Sequence, residues 1–201
     1  MNFGDVKLVY VASCFVLGLL ILSPALVEIV SFPVGERFSE LWLLGRGGLA
    51  EDYPFVVSEG VAYKIFLGVS NHLGGSSYYR VLVKFRSEFE PLPNSTVGSP
   101  SPLEPVFQYD LFLGDNETWE RELNFSFSDV LFDGFTCRVS DILIENYAVG
   151  VDKVVVWNET GKGFYYQLFF ELWVYNSTFS GFQFHNRWVG LWLNMSKPLQ
   201  G

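Results

Sequence analysis

Two cysteines, two histidines and thirteen lysines and arginines are all that 201 residues supply of three chemistries. Cys14 lies inside an apolar run and Cys137 lies far downstream. A disulfide needs Cα atoms within about 7 Å, so a thiol in lipid does not bridge to the second one and the chain is no disulfide scaffold. Cys137 reads as a buried free thiol, with a bridge between two chains as the alternative. His72 and His185 have no ligand spacing around them, so no metal site is expected. With 22 acidic residues the formal net charge is −9, and no Lys/Arg cluster occurs. That excludes a general nucleic-acid footprint and a polybasic lipid-binding segment. There is no Gly-x-Ser-x-Gly elbow and no phosphate-binding Gly-rich loop, so no catalytic residue and no cofactor is assigned. Outside the N-terminus no stretch repeats its apolar residues with helical spacing.

What the chain has first is grease. Leu8 to Val27 carries no charge. About 20 apolar residues in a helix span roughly 30 Å, the hydrocarbon thickness of a bilayer. The boundaries expected are a cytoplasmic N-terminus over 1–7, a transmembrane helix over 8–30, a linker over 31–37 and an extracytoplasmic domain over 38–201. Ser23-Pro24-Ala25 also offers small residues to a signal peptidase, but the run is long for a cleaved signal and the charges of Asp5 and Lys7 cancel. A retained single-span anchor is the preferred reading.

Asparagine supplies the orientation. The pattern Asn-x-Ser/Thr occurs at Asn94, Asn116, Asn124, Asn158, Asn176 and Asn194, six of the ten asparagines, and all follow the apolar run. Such sequons point to N-linked glycans and to an extracellular C-terminal domain at the cell membrane.

The rest alternates. Aromatic residues make up 18% of the chain and can fill a sizeable core. Phe38 to Gly45 and Tyr53 to Ser58 read as short extended pieces. Val61 to Arg86 reads as a hairpin: Tyr63, Ile65, Leu67 and Val69 alternate in one arm, and Tyr79, Val81, Val83 and Phe85 in the other. Arg80, Lys84 and Arg86 fall on its opposite, solvent-facing side. Pro91 to Pro105 holds five prolines and reads as a mobile surface loop. Strands follow at Val106–Leu113, Trp119–Ser128, Thr136–Glu145 and Val151–Trp157. Phe164–Tyr175, apolar on both faces, reads as a central strand, and Phe182–Met195 returns beside it with Trp188, Gly190, Trp192 and Asn194 on one face. The fold class is an all-β, immunoglobulin-like antiparallel sandwich of about eight or nine strands, preceded by one membrane helix.

Few polar residues invite chemistry. Glu88 with Glu90, and Asp115, Glu117, Glu120 and Glu122, have the types needed for a carboxylate pair or a calcium loop, but solvated turn charges are the preferred reading. Glu171 interrupts the apolar central strand and needs a cationic partner or an exposed position. Trp173, Trp188, Trp192, Tyr165 and Tyr175 are the candidate interaction surface, although packing between sheets is the preferred role.

Ser39-Glu40-Leu41-Trp42-Leu43-Leu44-Gly45, then Ala50-Glu51-Asp52-Tyr53-Pro54, then Leu67 to Gly74 and Tyr78-Tyr79-Arg80-Val81, resemble the archaeal membrane-protein family known as domain of unknown function 1616. The likeness runs over most of residues 36 to 195. It implies an archaeal source and an extracytoplasmic β domain, and no activity. Members typically carry several membrane helices before this domain, where this chain has one. The Val-x-Asn-x-x-Gly turn at Val69 to Gly74 is also similar to that of immunoglobulin-like surface adhesion modules. The expected role is therefore surface interaction with a protein partner, a second copy or an envelope glycan. A filament subunit and a glycan-acting hydrolase are the alternatives.

Overall fold

The computed structural model describes residues 7, 9–20 and 36–197. The chain divides into two compact units, Met1–Arg37 and Phe38–Gly201. In the first, residues 9–20 are helical. The remainder of the expected 8–30 span, and residues 31–35 of the linker, lie outside the described residues. Among those that are described, no helix is long and apolar enough to cross a membrane.

The second unit contains ten strands among the described residues, where about eight or nine were expected: β1 Phe38–Leu44, β2 Val56–Ser58, β3 Tyr63–His72, β4 Ser77–Ser87, β5 Phe107–Leu113, β6 Thr118–Asp133, β7 Thr136–Ile144, β8 Tyr147–Val156, β9 Tyr165–Asn176 and β10 Gly181–Ser196. They form two five-stranded sheets. Sheet 1 has the order β1-β3-β6-β7-β8, and sheet 2 the order β2-β10-β9-β4-β5. The result is a sandwich-like, mostly antiparallel body. One pairing departs from the expected antiparallel pattern, because β2 runs parallel to β10 through Val56–Ser58 and Asn194–Ser196. β9 is the central strand of sheet 2, as its two-sided apolar sequence requires.

Alternation puts one row of each strand between the sheets. Ile65, Leu67 and Val69 of β3, Leu123, Phe125 and Phe127 of β6, and Ile142 and Ile144 of β7 meet Val81, Val83 and Phe85 of β4 and Leu168, Phe170 and Leu172 of β9. Each such side chain, moved fully out of water, contributes about 1.5–3 kcal/mol before entropy is counted. Phe85 joins the sheets: its ring stacks on Tyr166 at 5.3 Å and meets Phe127 at 5.6 Å. The Tyr166 hydroxyl then donates across the core to the Cys137 carbonyl at 2.6 Å. Cys137 is buried, as expected for a free thiol, and burial pushes that thiol up to about 11.

Two glycines fix local geometry. The Gly45 amide donates to the Leu49 carbonyl at 2.7 Å, and a Cβ at Gly45 would collide with the Glu51 backbone. That tight turn lets the chain leave sheet 1 after β1 and enter sheet 2 as β2. On sheet 1, Trp42 lies flat over its cross-strand partner Gly68 and donates Nε1–H to Glu120 at 3.1 Å. The missing side chain at Gly68 is the seat of the indole.

Candidate functional site

Directly opposed residues in neighbouring strands share a face. On the outer side of sheet 2 the register therefore aligns Tyr175 with Phe182, Trp173 with Phe184 and Arg80, and Glu171 with Trp188 and Leu82. It continues with Phe169 beside Gly190 and Lys84, Gln167 beside Trp192 and Arg86, and Tyr165 beside Asn194. β5 adds Asp110 and Phe112 opposite Arg80 and Tyr78. All five aromatic residues singled out from the sequence, Trp173, Trp188, Trp192, Tyr165 and Tyr175, lie on this outer face. None belongs to the core between the sheets. This corrects the packing role preferred above: the periodicity says which residues share a face, and it does not say which face is inward.

The middle of the face is covered and charged. Lys84 Nζ lies 3.0 Å from Glu171 Oε2, with the two side chains 3% and 0% exposed. Ser101 closes the site from above: its N–H donates to Glu171 Oε1 at 2.7 Å and its carbonyl accepts from Lys84 Nζ at 2.7 Å. Trp173 Nε1–H donates to Glu171 Oε2 at 3.0 Å. Beside this pair, Arg86 donates Nε–H to Gln167 at 2.9 Å and a second N–H to the Glu90 carbonyl, and its guanidinium lies over the Trp192 ring. Burial pulls the Arg86 guanidinium below its ordinary range, against the opposing pull of Glu90 and Glu88.

The cover is the proline-rich segment 88–105. It is pinned at its base by Glu90, which accepts from Ser87 N–H at 2.8 Å and from Lys153 Nζ at 2.5 Å. Burial raises the Glu90 carboxyl, but the Lys153 and Ser87 contacts together hold it below its ordinary value. Glu88 accepts from Asn158 Nδ2 at 3.0 Å, and Ser101 Oγ donates to the Pro91 carbonyl at 2.8 Å. Lys84 and Arg86 are therefore buried, contrary to the expected solvent-facing position. The segment expected to be a free loop is a strap over them, and Glu171 has the cation its sequence position demanded.

Away from the strap the face is open and aromatic. Arg80 grips Asp110 with Nε at 2.6 Å and a second nitrogen at 2.9 Å, and its guanidinium stands 4.2 Å over the Phe182 ring. The bond to Asp110 raises the Arg80 guanidinium further. Phe182 meets Tyr78 at 5.0 Å and Tyr175 at 5.5 Å, and Phe184 meets Trp173 at 6.1 Å. Tyr175 is 42% exposed and Phe112 70%. Tyr78, Arg80, Phe112, Phe182 and Phe184 were missed by sequence reasoning; the signal was there, since the β9–β10 hairpin sets Phe182 opposite Tyr175. Flat rings around an anchored guanidinium suit apolar and ring-stacking contacts.

Other chemistry-bearing groups are engaged in structure. Ser39 Oγ lies 3.0 Å from His185 Nε2, the spacing of a nucleophile and its base. Ser39 is fully buried, however, and also meets the Tyr79 hydroxyl at 2.7 Å. Tyr79 spends its proton on Asn71 Oδ1 at 2.8 Å, so Ser39 must spend its own on Tyr79, and His185 donates rather than accepts. Burial and Arg187 lower the His185 imidazole. His72 is held by Ser70 and Asn116. Asp115 and Glu117 accept the Gly74 and Gly114 N–H groups, and Glu122 pairs with Lys64. Among the described residues no group of three or more His, Cys, Asp or Glu is placed to hold a metal ion. Four clefts are lined by one carboxylate at most.

The six sequons differ in exposure. Asn94, Asn116 and Asn124 are exposed, the last on the outer face of sheet 1, while Asn158, Asn176 and Asn194 are half-buried. Asn94, Asn158 and Asn176 each accept the backbone N–H of their own sequon threonine, at 3.0, 3.1 and 2.9 Å. Asn194 accepts Phe164 N–H at 3.0 Å, with its amide packed against Gly163.

The model of the family described as Domain of unknown function (DUF1616) matches residues 33–148. The chain belongs to that family. The DUF1616 match covers β1 to β7 and enters β8; β9 and β10, which carry most of the aromatic face, lie beyond it. No curated protein matches the chain. Similar solved structures include a beta-glucosidase from Listeria innocua in complex with isofagomine, at 10% identity and TM-score 0.34, covering 81% of this chain and 16% of that one. The same enzyme in complex with glucose gives 9% identity and TM-score 0.33, with 79% and 16% covered. This DUF1616 chain thus spans a small fraction of those enzymes.

Proposed function

We propose that this is a membrane-anchored, glycosylated archaeal cell-surface domain of immunoglobulin-like fold that binds a neighbouring protein without catalysis, through the open part of the outer face of sheet 2. The observation that carries the reading is the cluster of Tyr78, Tyr175, Phe182 and Phe112 around the Arg80–Asp110 pair, outside the core and partly open to solvent. Aromatic residues and arginine are the side chains that dominate binding energy where proteins meet. An immunoglobulin-like reading is supported by the division of the first strand, β1 pairing with β3 in one sheet and β2 with β10 in the other. The apolar run from Leu8 to Val27 supports the single-span anchor at the cell membrane, and the six sequons support an extracellular body carrying N-linked glycans. In this reading the chain is an accessory subunit of a membrane or envelope assembly, with a self-assembling surface filament as the alternative. A hydrolase needs two carboxyl groups facing one another across a cleft; among the described residues the four clefts named above bring no such pair together and so lend that alternative no support.

The test is photocrosslinking in native membranes from a benzophenone side chain at Phe112, with Val154 on the outer face of sheet 1 as the control. A discrete adduct from position 112 and none from 154 is expected. Its mass separates a second copy from a different protein, and a diffuse glycan ladder marks an envelope polysaccharide. Equal, unspecific labelling from both positions overturns the reading.

A further inference from the structure

We propose that the seam between β1 and β10 is a strand-acceptor groove that takes an extended peptide segment of a partner protein, with apolar side chains at alternate positions. This goes beyond the aromatic-face reading and does not depend on it.

β10 is sixteen residues long and pairs with β9 along one edge. On its other edge, among the described residues, only Asn194, Met195 and Ser196 have ladder partners, in β2. The Asn194 N–H donates to the Phe55 carbonyl at 2.6 Å, so it points to the β2 side. Backbone groups alternate in direction along a strand, so the N–H and C=O groups of Trp188, Gly190 and Trp192 point the same way. Among the described residues none of these has a backbone partner on that side.

The facing wall is also an edge. Among the described residues β1 pairs only with β3, and its open side shows in the Leu43 carbonyl, which takes the Tyr53 hydroxyl at 2.8 Å in place of a strand. Between the two edges lies a groove of about 520 Å³ lined by Leu41, Trp42, Tyr53, Phe55, Gly190 and Trp192, among others. No charged side chain lines it.

The floor decides what fits. A row of unpaired backbone donors and acceptors is matched by another extended backbone. A helix has its own backbone groups satisfied internally and offers no such row. Exposed edges are ordinarily blunted by lysine, proline or a bulge. Here the bulge at His185 and Asn186 ends the protected part, and from Trp188 to Leu193 there is neither lysine nor proline. β2 shows the direction: it already sits on this edge, parallel to β10, and an added strand continues its line over about five residues.

The full-length protein in detergent micelles is panned against a phage-displayed library of linear nonapeptides. Enriched peptides with alternating apolar positions are expected, and on binding they slow hydrogen exchange at the amides of Trp188, Gly190 and Trp192. Methylating the backbone nitrogens of alternate peptide residues abolishes that protection, and Phe55→Lys, at an exposed position on the groove wall, weakens binding about tenfold or more. Failure to enrich, protection confined to other amides, or undiminished binding of the methylated peptides overturns the proposal. So does exchange of the three amides in the free protein as slow as that of Leu193.

Discussion

Lys84 and Glu171 form an ion pair, 3.0 Å from nitrogen to oxygen, on the outward surface of a sheet, yet neither side chain reaches solvent. The strap above them makes the difference. Removing one partner leaves an uncompensated buried charge, whereas replacing both can be close to neutral. Glu171→Ala is expected to lose about 3–5 kcal/mol. The double variant Lys84→Met with Glu171→Leu should recover most of it. Guanidinium unfolding followed by tryptophan fluorescence measures both; equal losses in single and double variants would show that the strap depends on the charges themselves.

Strap release is expected to follow acid. The folded state holds the Glu90 carboxyl below its ordinary value, so its contribution is fully present above about pH 4.5 and is lost as the pH falls through the lower, folded-state value. Limited proteolysis of residues 91–105 between pH 6 and 3 should accelerate only in that acid window. Glu90→Gln should cleave readily at every pH in the series.

His185 sets a second window, higher up. Its imidazole is lowered in the folded protein, so the unfolded chain takes up the proton first. Stability is therefore whole above about pH 6.5 and declines as the pH falls from there to the lower folded-state value. Thermal melts between pH 8 and 5 should show the decline, and His185→Asn should flatten it.

The Cys137 thiol, pushed up to about 11 and buried against the Tyr166 hydroxyl contact, is expected to resist thiol reagents at neutral pH. In a Cys14→Ser background, labelling should proceed only as fast as the sandwich opens, and should rise steeply through the denaturant midpoint. Prompt labelling in the absence of denaturant would contradict the burial.

Alternation made much of this fold legible. Tyr63, Ile65, Leu67 and Val69, and Tyr79, Val81, Val83 and Phe85, point inward because theirs is the more apolar of the two alternating rows, and β9 is central because its sequence is apolar on both sides. Glu171 announced a partner simply by interrupting that strand. What lies on top of a face leaves no period in the sequence. Lys84 and Arg86 read as solvated because nothing in a two-residue repeat records a strap folded from residues 88–105. The tryptophans of β10 read as core for the complementary reason: large aromatic residues in strands are ordinarily inward, and here the inward row is Val189, Leu191 and Leu193. The two unpaired residues at His185 and Asn186 carry that strand past β9 with an irregular step, which no spacing rule foresees. The parallel seat of β2 joins residues nearly 140 positions apart and was equally invisible.

That seat carries a consequence for biogenesis. Among the described residues β2 pairs along its ladder with β10 alone, and nearly 140 residues of chain are synthesised between the paired positions. Val57 lacks that neighbour until the residues around Met195 have left the ribosome, so this edge of sheet 2 forms only once β10 has been made. A nascent chain stalled before β10 keeps an open half-core and is a natural client for holding chaperones.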